Sequence, residues 1–231
     1  IKTVTSPGGY AAAAITALTI QNTEGVRGVF PVPSATVAEQ IAAVMEDIEP
    51  QAVKIGMVND AEIVRVISAA VARYAPRHVV FDPVMVSTSG HRLIGENVAD
   101  ELERDLIPLA SLITPNMSEA EALWRRPIGS VERMEQAATE LARRYGTAVL
   151  IKGGHLAGDE MCDILCDGGE IHRFTSERIA TRNLHGTGCT LSSAIATLLA
   201  QGRDMRQAVA EAKRYVSRAI EAGSRMSIGR G

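Results

Sequence analysis

The sequence predicts an α/β fold in which helices cover a mainly parallel sheet, because strand-like and helix-like segments alternate along the chain. We find no linker, low-complexity tract or internal repeat that would divide it. A length of 231 residues is enough for one large domain with its own core. We therefore expect a single domain over residues 1–231.

The first half of the chain predicts four strands and two helices. Residues 12–22 are rich in apolar and β-branched side chains, so we expect a buried strand there. Ser34 is in position to cap the first helix, and Asn59 or Asp60 the second. The predicted strands cover residues 12–22, 26–32, 52–57 and 78–83, and the predicted helices end near residues 48 and 74.

The second half continues the alternation and adds a hairpin. Asp167-Gly-Gly separates two strand-like segments, which is typical of a tight antiparallel turn. The predicted helices cover residues 98–106, the segment after Asn116, residues 131–145, the segment from Cys189 and residues 204–222. The predicted strands cover residues 109–114, 148–152, 161–166 and 170–175.

Composition argues against several classes of partner. The net charge is −3 without a basic cluster, and aromatic residues make up only 3%, so neither duplex nor single-stranded nucleic acid is an expected ligand. No signal peptide and no apolar run long enough to span a bilayer is present, so no membrane partner is expected. Three cysteines are too few for a disulfide framework. Cys162 and Cys166 fit buried thiols in a reducing cytoplasm.

The segment Asn183-Leu-His-Gly-Thr-Gly-Cys-Thr-Leu-Ser-Ser193 predicts a phosphate site. Gly186 and Gly188 let backbone N–H groups approach an anion closely, and a helix with apolar residues at helical spacing follows. Cys189 lies inside this loop, where the same field would stabilise a thiolate. The alternative is an ordinary turn before a helix, with Cys189 as a small buried apolar residue. The loop alone does not separate the two.

Polar groups follow several predicted strands directly. Because the carboxyl ends of parallel strands share one edge, these groups are expected to converge in the crevice where open α/β sheets bind ligands. The anion loop begins a helix and can face the same crevice. The groups concerned are Met57, Asp82, Asn116, Glu119 and residues 152–155.

This set fits phosphoryl transfer. Asp82 and Glu119 near a phosphate site require a cation between them, and Mg²⁺ commonly takes one or two carboxylates together with phosphate oxygens. Lys152 can neutralise phosphate charge, and Gly153 and Gly154 allow close approach of the backbone. The plainer alternatives are a strand-ending Asp, a first-turn helix Glu and a lysine that extends to solvent. Neither a Walker A segment nor a dinucleotide fingerprint is present.

Two other classes of function remain open on these residues. Cys189 with His185 or His155 could serve a cysteine-dependent hydrolase, but no Asn or Asp is evidently placed to orient such a histidine. Histidines beside glycine turns are more often structural than catalytic. A binding protein without turnover is the third possibility.

The chain resembles the ribokinase-like superfamily, and within it the hydroxymethylpyrimidine/phosphomethylpyrimidine kinases of thiamine biosynthesis. The resemblance covers nearly the whole chain in the family's order. Its segments are Ile15-Thr-Ala-Leu-Thr-Ile-Gln-Asn-Thr23, Lys54-Ile-Gly-Met57, Phe81-Asp-Pro-Val-Met-Val86 with Ser89-Gly90, Ile113-Thr-Pro-Asn-Met-Ser-Glu-Ala120, Lys152-Gly-Gly-His155 and Asn183-Leu-His-Gly-Thr-Gly-Cys-Thr190. Cysteine in the Gly-x-Gly-x loop, where the superfamily usually has aspartate, is similar to these kinases and to a related group of pyridoxal kinases.

The resemblance implies a three-layer α/β/α sandwich, a homodimer, and phosphorylation of 4-amino-5-hydroxymethyl-2-methylpyrimidine and then of its monophosphate with ATP and Mg²⁺. It implies that Gln21, Met57 and Val84 contact the pyrimidine and that Asp82 and Glu119 arrange the metal. It also implies the nucleotide region at Asn116, Lys152, Gly153, Gly154 and His155, and an anion hole from Gly186, Thr187, Gly188 and Cys189, with Cys189 at the acceptor hydroxyl.

The sequence departs from the family pattern at both ends. Relatives usually have a strand and a Gly-rich segment before the Ile-Lys-Thr that opens this sequence, and a Gly-Pro-Val-type tail beyond its last residues. The Gly-rich segment contributes to the pyrimidine pocket in the family, so activity without it is an open expectation. Pyridoxal is the rival substrate, and Gln21 and Met57 favour the aminopyrimidine without excluding it.

Overall fold

The structure is a computed structural model that describes residues 1–84, 98–154 and 160–229. The described strands are β1 (Ala17–Asn22), β2 (Gly25–Pro31), β3 (Ala52–Ile55), β4 (His78–Phe81), β5 (Leu112–Ile113), β6 (Ala148–Ile151), β7 (Glu160–Asp167) and β8 (Glu170–Glu177). The described α-helices are α1 (Lys2–Thr5), α2 (Ser34–Asp47), α3 (Ala61–Tyr74), α4 (Val98–Glu101), α5 (Met117–Trp124), α6 (Val131–Tyr145), α7 (Thr187–Ala200) and α8 (Met205–Gly223).

In the part of the chain that the structure describes, the main sheet has six strands in the order β3-β4-β5-β6-β7-β8. The first four are parallel, and the hairpin of β7 and β8 adds two antiparallel strands at one edge. The carboxyl ends of β3 to β6 therefore share one edge of the sheet. This arrangement confirms the predicted mainly parallel α/β fold.

Two apolar layers cover the sheet because successive strand residues point to opposite faces. One layer joins Phe81, Ile113 and Ile151 to α3, α5 and α6. The other joins Val80, Leu112 and Leu150 to α7 and α8. The result is a three-layer sandwich in which every residue of β6 is buried.

The predicted buried strand at residues 12–22 is wrong in its burial and too long. The strand covers only Ala17–Asn22 and pairs antiparallel with β2 in a separate two-stranded sheet. Leu18 is 59% exposed and Ile20 is 52% exposed. Apolar and β-branched composition favours an extended strand, but it does not determine which surface covers that strand.

Several element boundaries differ from expectation. Ser34 is the first residue of α2 and Pro33 is its N-cap, so Ser34 does not cap this helix. The predicted helix at residues 98–106 continues past α4 as a π-helical turn, Leu102–Leu106. The strand expected at residues 109–114 shortens to β5, because a 3₁₀ turn with Pro108 in its first turn occupies Ile107–Leu109. Asp60 and Ser130 cap their helices through side-chain hydrogen bonds.

Candidate active site

A buried ion pair lies where β4 and β6 end. The Lys152 ammonium donates to Oδ1 of Asp82 at 2.9 Å, and the Asp82 side chain is 2% exposed. Asp82 also accepts hydrogen bonds from the Thr114 hydroxyl at 3.1 Å and the Ser192 hydroxyl at 3.2 Å. The carboxylate is thus bonded by the residue that follows β6, the residue that follows β5 and a residue of α7.

Charge keeps both members of this pair ionised. Burial alone would raise the pKa of Asp82, but the ammonium groups of Lys152 and Lys54 outweigh it and lower that pKa below its ordinary value. Burial alone would lower the pKa of Lys152, but Asp82 and then Glu119 raise it above its ordinary value. The edge of the sheet therefore presents fixed charges of both signs.

Glu119 approaches the pair through a capping box at the start of α5. The Asn116 side chain accepts from the Glu119 amide at 2.9 Å, and the Glu119 carboxylate accepts from the Asn116 amide at 2.7 Å. The Asn116 backbone forms an isolated parallel bridge with Lys152, whose amide donates to the Pro115 carbonyl at 2.9 Å. The strand-end loop after β5 is thereby joined to the strand end that carries Lys152.

The amino terminus of α7 faces the ion pair. Gly186 is its N-cap with φ +80°, a left-handed conformation that favours glycine, and no side chain caps the helix. A Cβ on Gly188 would lie 3.3 Å from the Lys152 ammonium and 4.0 Å from Oδ2 of Asp82. The amides of Gly188 and Cys189 make no hydrogen bond to any residue that the structure describes. These amides fit an anion held beside Lys152.

Cys189 is exposed in the first turn of α7 and has a free thiol. Its position is close enough to Lys152 to act on the charge of that ammonium. Thr187 precedes it, and the Thr187 hydroxyl donates to the Leu184 carbonyl at 2.9 Å. The buried alternative for Cys189 is therefore wrong, whereas Cys162 and Cys166 are buried as expected.

The β1–β2 hairpin brings Gln21 to the same loop. Nε2 of Gln21 lies 3.2 Å from Nε2 of His185, so the two exposed side chains share a hydrogen bond. The Thr16 hydroxyl donates to the Met57 carbonyl at 3.0 Å and fixes the start of the hairpin beside the end of β3. The Val84 amide donates to the Asp82 carbonyl at 2.8 Å, which closes a tight turn directly after β4.

Gly153 and Gly154 leave β6 directly after Lys152. The Gly153 amide donates to the Asp163 carboxylate at 2.9 Å, and the Gly154 carbonyl accepts from Arg178 at 3.0 Å. His155, which was also predicted in the nucleotide region, lies outside the described residues.

Three contributors to this site were not anticipated as site residues. Lys54 acts on the charge of Asp82 and folds back over Gly56, where a Cβ would lie 2.5 Å from its ammonium. Its sequence signal was a single lysine within the apolar strand Ala-Val-Lys-Ile. Thr114 at a strand end and Ser192, four residues after Gly188, carried no comparable signal.

The donor set suits a cation that shares its coordination with a ligand. Among the described residues, no group of three or more His, Cys, Asp and Glu side chains is placed to hold a metal unaided. Asp82 and Glu119 are 1% and 5% exposed and already accept hydrogen bonds. Two carboxylates beside an anion site match the way Mg²⁺ is bound through phosphate oxygens and water.

These features define a protein of the small-molecule kinase type, with a strand-end ion pair opposite an uncapped helix terminus. A sequence model described as phosphomethylpyrimidine kinase matches residues 1–231. The chain belongs to the phosphomethylpyrimidine kinase family.

Two relatives illustrate the similarity. The thiamine biosynthesis bifunctional protein ThiED of Geobacter sulfurreducens is 48% identical over 231 residues, which cover 100% of this chain and 47% of that protein. The hydroxymethylpyrimidine/phosphomethylpyrimidine kinase of Rhizobium meliloti is 45% identical over 232 residues, covering 100% of this chain and 87% of the relative. The chain thus spans about half the length of the bifunctional relative.

Solved structures support the same fold. The phosphomethylpyrimidine kinase of Clostridium difficile has a TM-score of 0.85 and 41% identity, with 95% of this chain and 90% of that chain covered. The pyridoxal kinase of Staphylococcus aureus in complex with pyridoxal has a TM-score of 0.88 and 30% identity, with 98% and 82% covered. Within the described residues, no helix combines the length and apolar character needed to cross a membrane.

Proposed function

We propose that this chain transfers a phosphoryl group from ATP to 4-amino-5-hydroxymethyl-2-methylpyrimidine, and then to its monophosphate, in thiamine biosynthesis. The observation that carries the proposal is the buried Lys152–Asp82 pair facing the uncapped amino terminus of α7. Phosphoryl transfer depends on positioning and charge stabilisation, and this edge of the sheet supplies a cation and unpaired N–H groups together.

In this proposal the moving phosphoryl group lies between Lys152 and the amides of Gly188 and Cys189. The Gly188 position supports this, because a side chain there would fill the space next to the Lys152 ammonium. Asn116, Gly153, Gly154 and His155 belong to the nucleotide region. The backbone of Gly186 and Thr187 completes the anion hole.

Cys189 is proposed to take the proton of the acceptor hydroxyl. A primary alcohol is weakly nucleophilic until its proton leaves, and the exposed thiol in the first turn of α7 supports this role for Cys189.

Asp82 and Glu119 are proposed to position Mg²⁺, which supplies charge neutralisation at the phosphates when bound. Both carboxylates already accept hydrogen bonds, which favours contact through water over direct coordination. In the protein alone, both carboxylates lie close enough to the Lys152 ammonium to raise its pKa.

Gln21, Met57 and Val84 are proposed to recognise the pyrimidine. The Gln21 amide can donate and accept, which matches a ring nitrogen beside an exocyclic amine. Its hydrogen bond with His185 links the hairpin to the anion loop and supports a pocket between them. The second candidate substrate is pyridoxal, because the pyridoxal kinase of Staphylococcus aureus shares the fold at a TM-score of 0.88.

We also propose that the enzyme is a cytoplasmic homodimer. All three thiols are free, as a reducing compartment would keep them. Leu18, Ile20 and Phe30 form an exposed apolar face of the β1–β2 sheet, with Leu18 opposite Phe30 and Ile20 opposite Gly28. A second copy could cover it, so Leu18→Ser/Phe30→Ser should shift the sedimentation coefficient to that of a monomer.

The test is an assay of ATP-dependent phosphorylation with hydroxymethylpyrimidine, its monophosphate and pyridoxal as acceptors. The proposal predicts phosphorylated product from both pyrimidines and a lower kcat/KM for pyridoxal. A preference for pyridoxal would select the second candidate. Ester hydrolysis without ATP use would point to a cysteine hydrolase, and tight pyrimidine binding without product to a binding protein.

A further inference from the structure

A second buried ion pair joins α8 to β7. The Lys213 ammonium on α8 donates to Oδ2 of Asp163 on β7 at 2.6 Å, and the two side chains are 11% and 12% exposed. The other carboxylate oxygen of Asp163 accepts the amide of Gly153 at 2.9 Å. Asp163 therefore links Lys213 to Gly153, the residue that directly follows Lys152.

The hydrogen bond from Gly153 to Asp163 takes the place of backbone pairing just after β6 ends. Backbone pairing of β6 with β7 reaches Ile151 opposite Ile164. Two residues later the Gly153 amide is bound by a side chain, and a Cβ on Gly153 would overlap the Cys162 carbonyl oxygen at 1.8 Å. The Gly153 backbone thus lies directly against β7. We infer that the path of the chain after β6 depends on the hydrogen bond from Gly153 to the Asp163 carboxylate.

We propose that Asp163, held by Lys213, is a positioning residue that sets the direction of the Lys152 side chain toward Asp82 and the phosphoryl group. The Lys152 backbone is held on one side by the Pro115 carbonyl and on the other by the Gly153 contact. Losing one of these two anchors would let the ammonium move. A displacement of about 1 Å costs up to about 100-fold in rate. This inference rests on the proposed kinase function.

A buried ion pair is not needed for stability alone, because apolar replacements of similar volume are often as stable. The important property of Asp163 is its acceptor oxygen for Gly153, and Lys213 donates to the other oxygen of the same carboxylate. The inference therefore separates charge from hydrogen bonding. Asp163→Asn/Lys213→Met keeps an acceptor without the ion pair, whereas Asp163→Leu/Lys213→Met removes the acceptor as well.

The test compares kcat, KM for ATP and pyrimidine, and hydrogen exchange of the Gly153 amide in the two double variants. We expect the leucine variant to lose kcat about 10- to 100-fold with KM for pyrimidine nearly unchanged, and to exchange the Gly153 amide at least about tenfold faster. The asparagine variant should stay within about threefold of wild type both in kcat and in the exchange rate of the Gly153 amide. If it fails to do so, or if the leucine variant keeps its kcat, the positioning role is contradicted.

The route through Lys152 is tested by repeating the leucine variant in a Lys152→Met background. If Asp163 acts through Lys152, the further loss of kcat there should be less than about twofold, and an undiminished loss would overturn the inference. Tyr145→Phe is the matched control, because it removes a 2.7 Å hydrogen bond to Glu103 away from this edge and should leave kcat unchanged.

Failure of the proposed function would be recognised separately, because wild type would then form no phosphorylated product. Gly153 exchange is measured without nucleotide and still tests the anchoring by Asp163. If the leucine variant does not fold, the asparagine variant decides, since its kcat must remain near that of wild type.

Discussion

Lys152 donates to Asp82 across 2.9 Å although the two residues are 70 positions apart in sequence. The contact joins the ends of β6 and β4, and Gly188 of α7 closes over it. Every charged group of the proposed mechanism is arranged around this pair. Substitution of Lys152 or Asp82 should therefore change the stability of the fold and the rate of catalysis by different amounts.

Lys152→Met should leave the buried Asp82 carboxylate without its nearest cation. Breaking a buried pair costs about 3–5 kcal/mol, and the lower end applies here because Lys54, Thr114 and Ser192 still stabilise Asp82. Urea denaturation measures this change. Asp82→Asn/Lys152→Met should recover part of it without recovering kcat, and an equal loss in both variants would contradict the pairing.

Stability should depend on pH through Asp82 in a defined direction. Its pKa is lowered in the folded protein from an ordinary value of 3.8, so the ionised carboxylate contributes stability above that value and the contribution is lost as pH falls through the folded pKa. The difference in unfolding free energy between wild type and Asp82→Asn should stay constant from about pH 7 to about pH 5 and shrink below about pH 4. A difference that shrinks between about pH 7 and 5 would show a raised pKa instead.

Gly188→Ala should separate folding from catalysis. The added methyl group meets the Lys152 ammonium at 3.3 Å, so a shift of only a few tenths of an ångström accommodates it without breaking the pair with Asp82. We expect a melting temperature within about 2 °C of wild type, since alanine also suits a helix, and a kcat lowered at least about tenfold. Gly202→Ala is not a neutral comparison, because Gly202 has φ +86°. Gly129→Ala is the matched control, since nothing lies within 4 Å of its Cβ position.

Gln21→Leu tests recognition of the pyrimidine. Loss of the amide should leave a buried ligand amine unpaired and cost about 1–3 kcal/mol, which is roughly a 5- to 150-fold rise in KM for pyrimidine. His185→Ala should show a smaller rise, because it removes only the residue that orients Gln21. An unchanged KM in Gln21→Leu would place Gln21 outside the pocket.

The sequence predicts the site best where hydrophobic periodicity and the ends of parallel strands determine where a residue lies. Asp82, Lys152 and Asn116 follow parallel strands, and the shared edge of such a sheet brings them together without further information. The exposed position of Leu18 was not predictable in this way, because strand composition does not specify the covering layer. Contacts such as Ser192 with Asp82 and Asp163 with Gly153 depend on side-chain direction between distant elements, for which a single sequence carries no periodic signal.

The most direct measurement of the central claim is kcat for ATP-dependent phosphorylation of hydroxymethylpyrimidine by Cys189→Ala. Cys189 is exposed at the terminus of α7, so the substitution should leave folding and the binding of both substrates intact. General-base catalysis is worth about 10²–10⁴-fold, and we expect a loss of kcat of that order, with Cys189→Asp retaining more activity than alanine. An alanine variant with undiminished kcat, or a phosphorylated Cys189 trapped during turnover, would contradict the account.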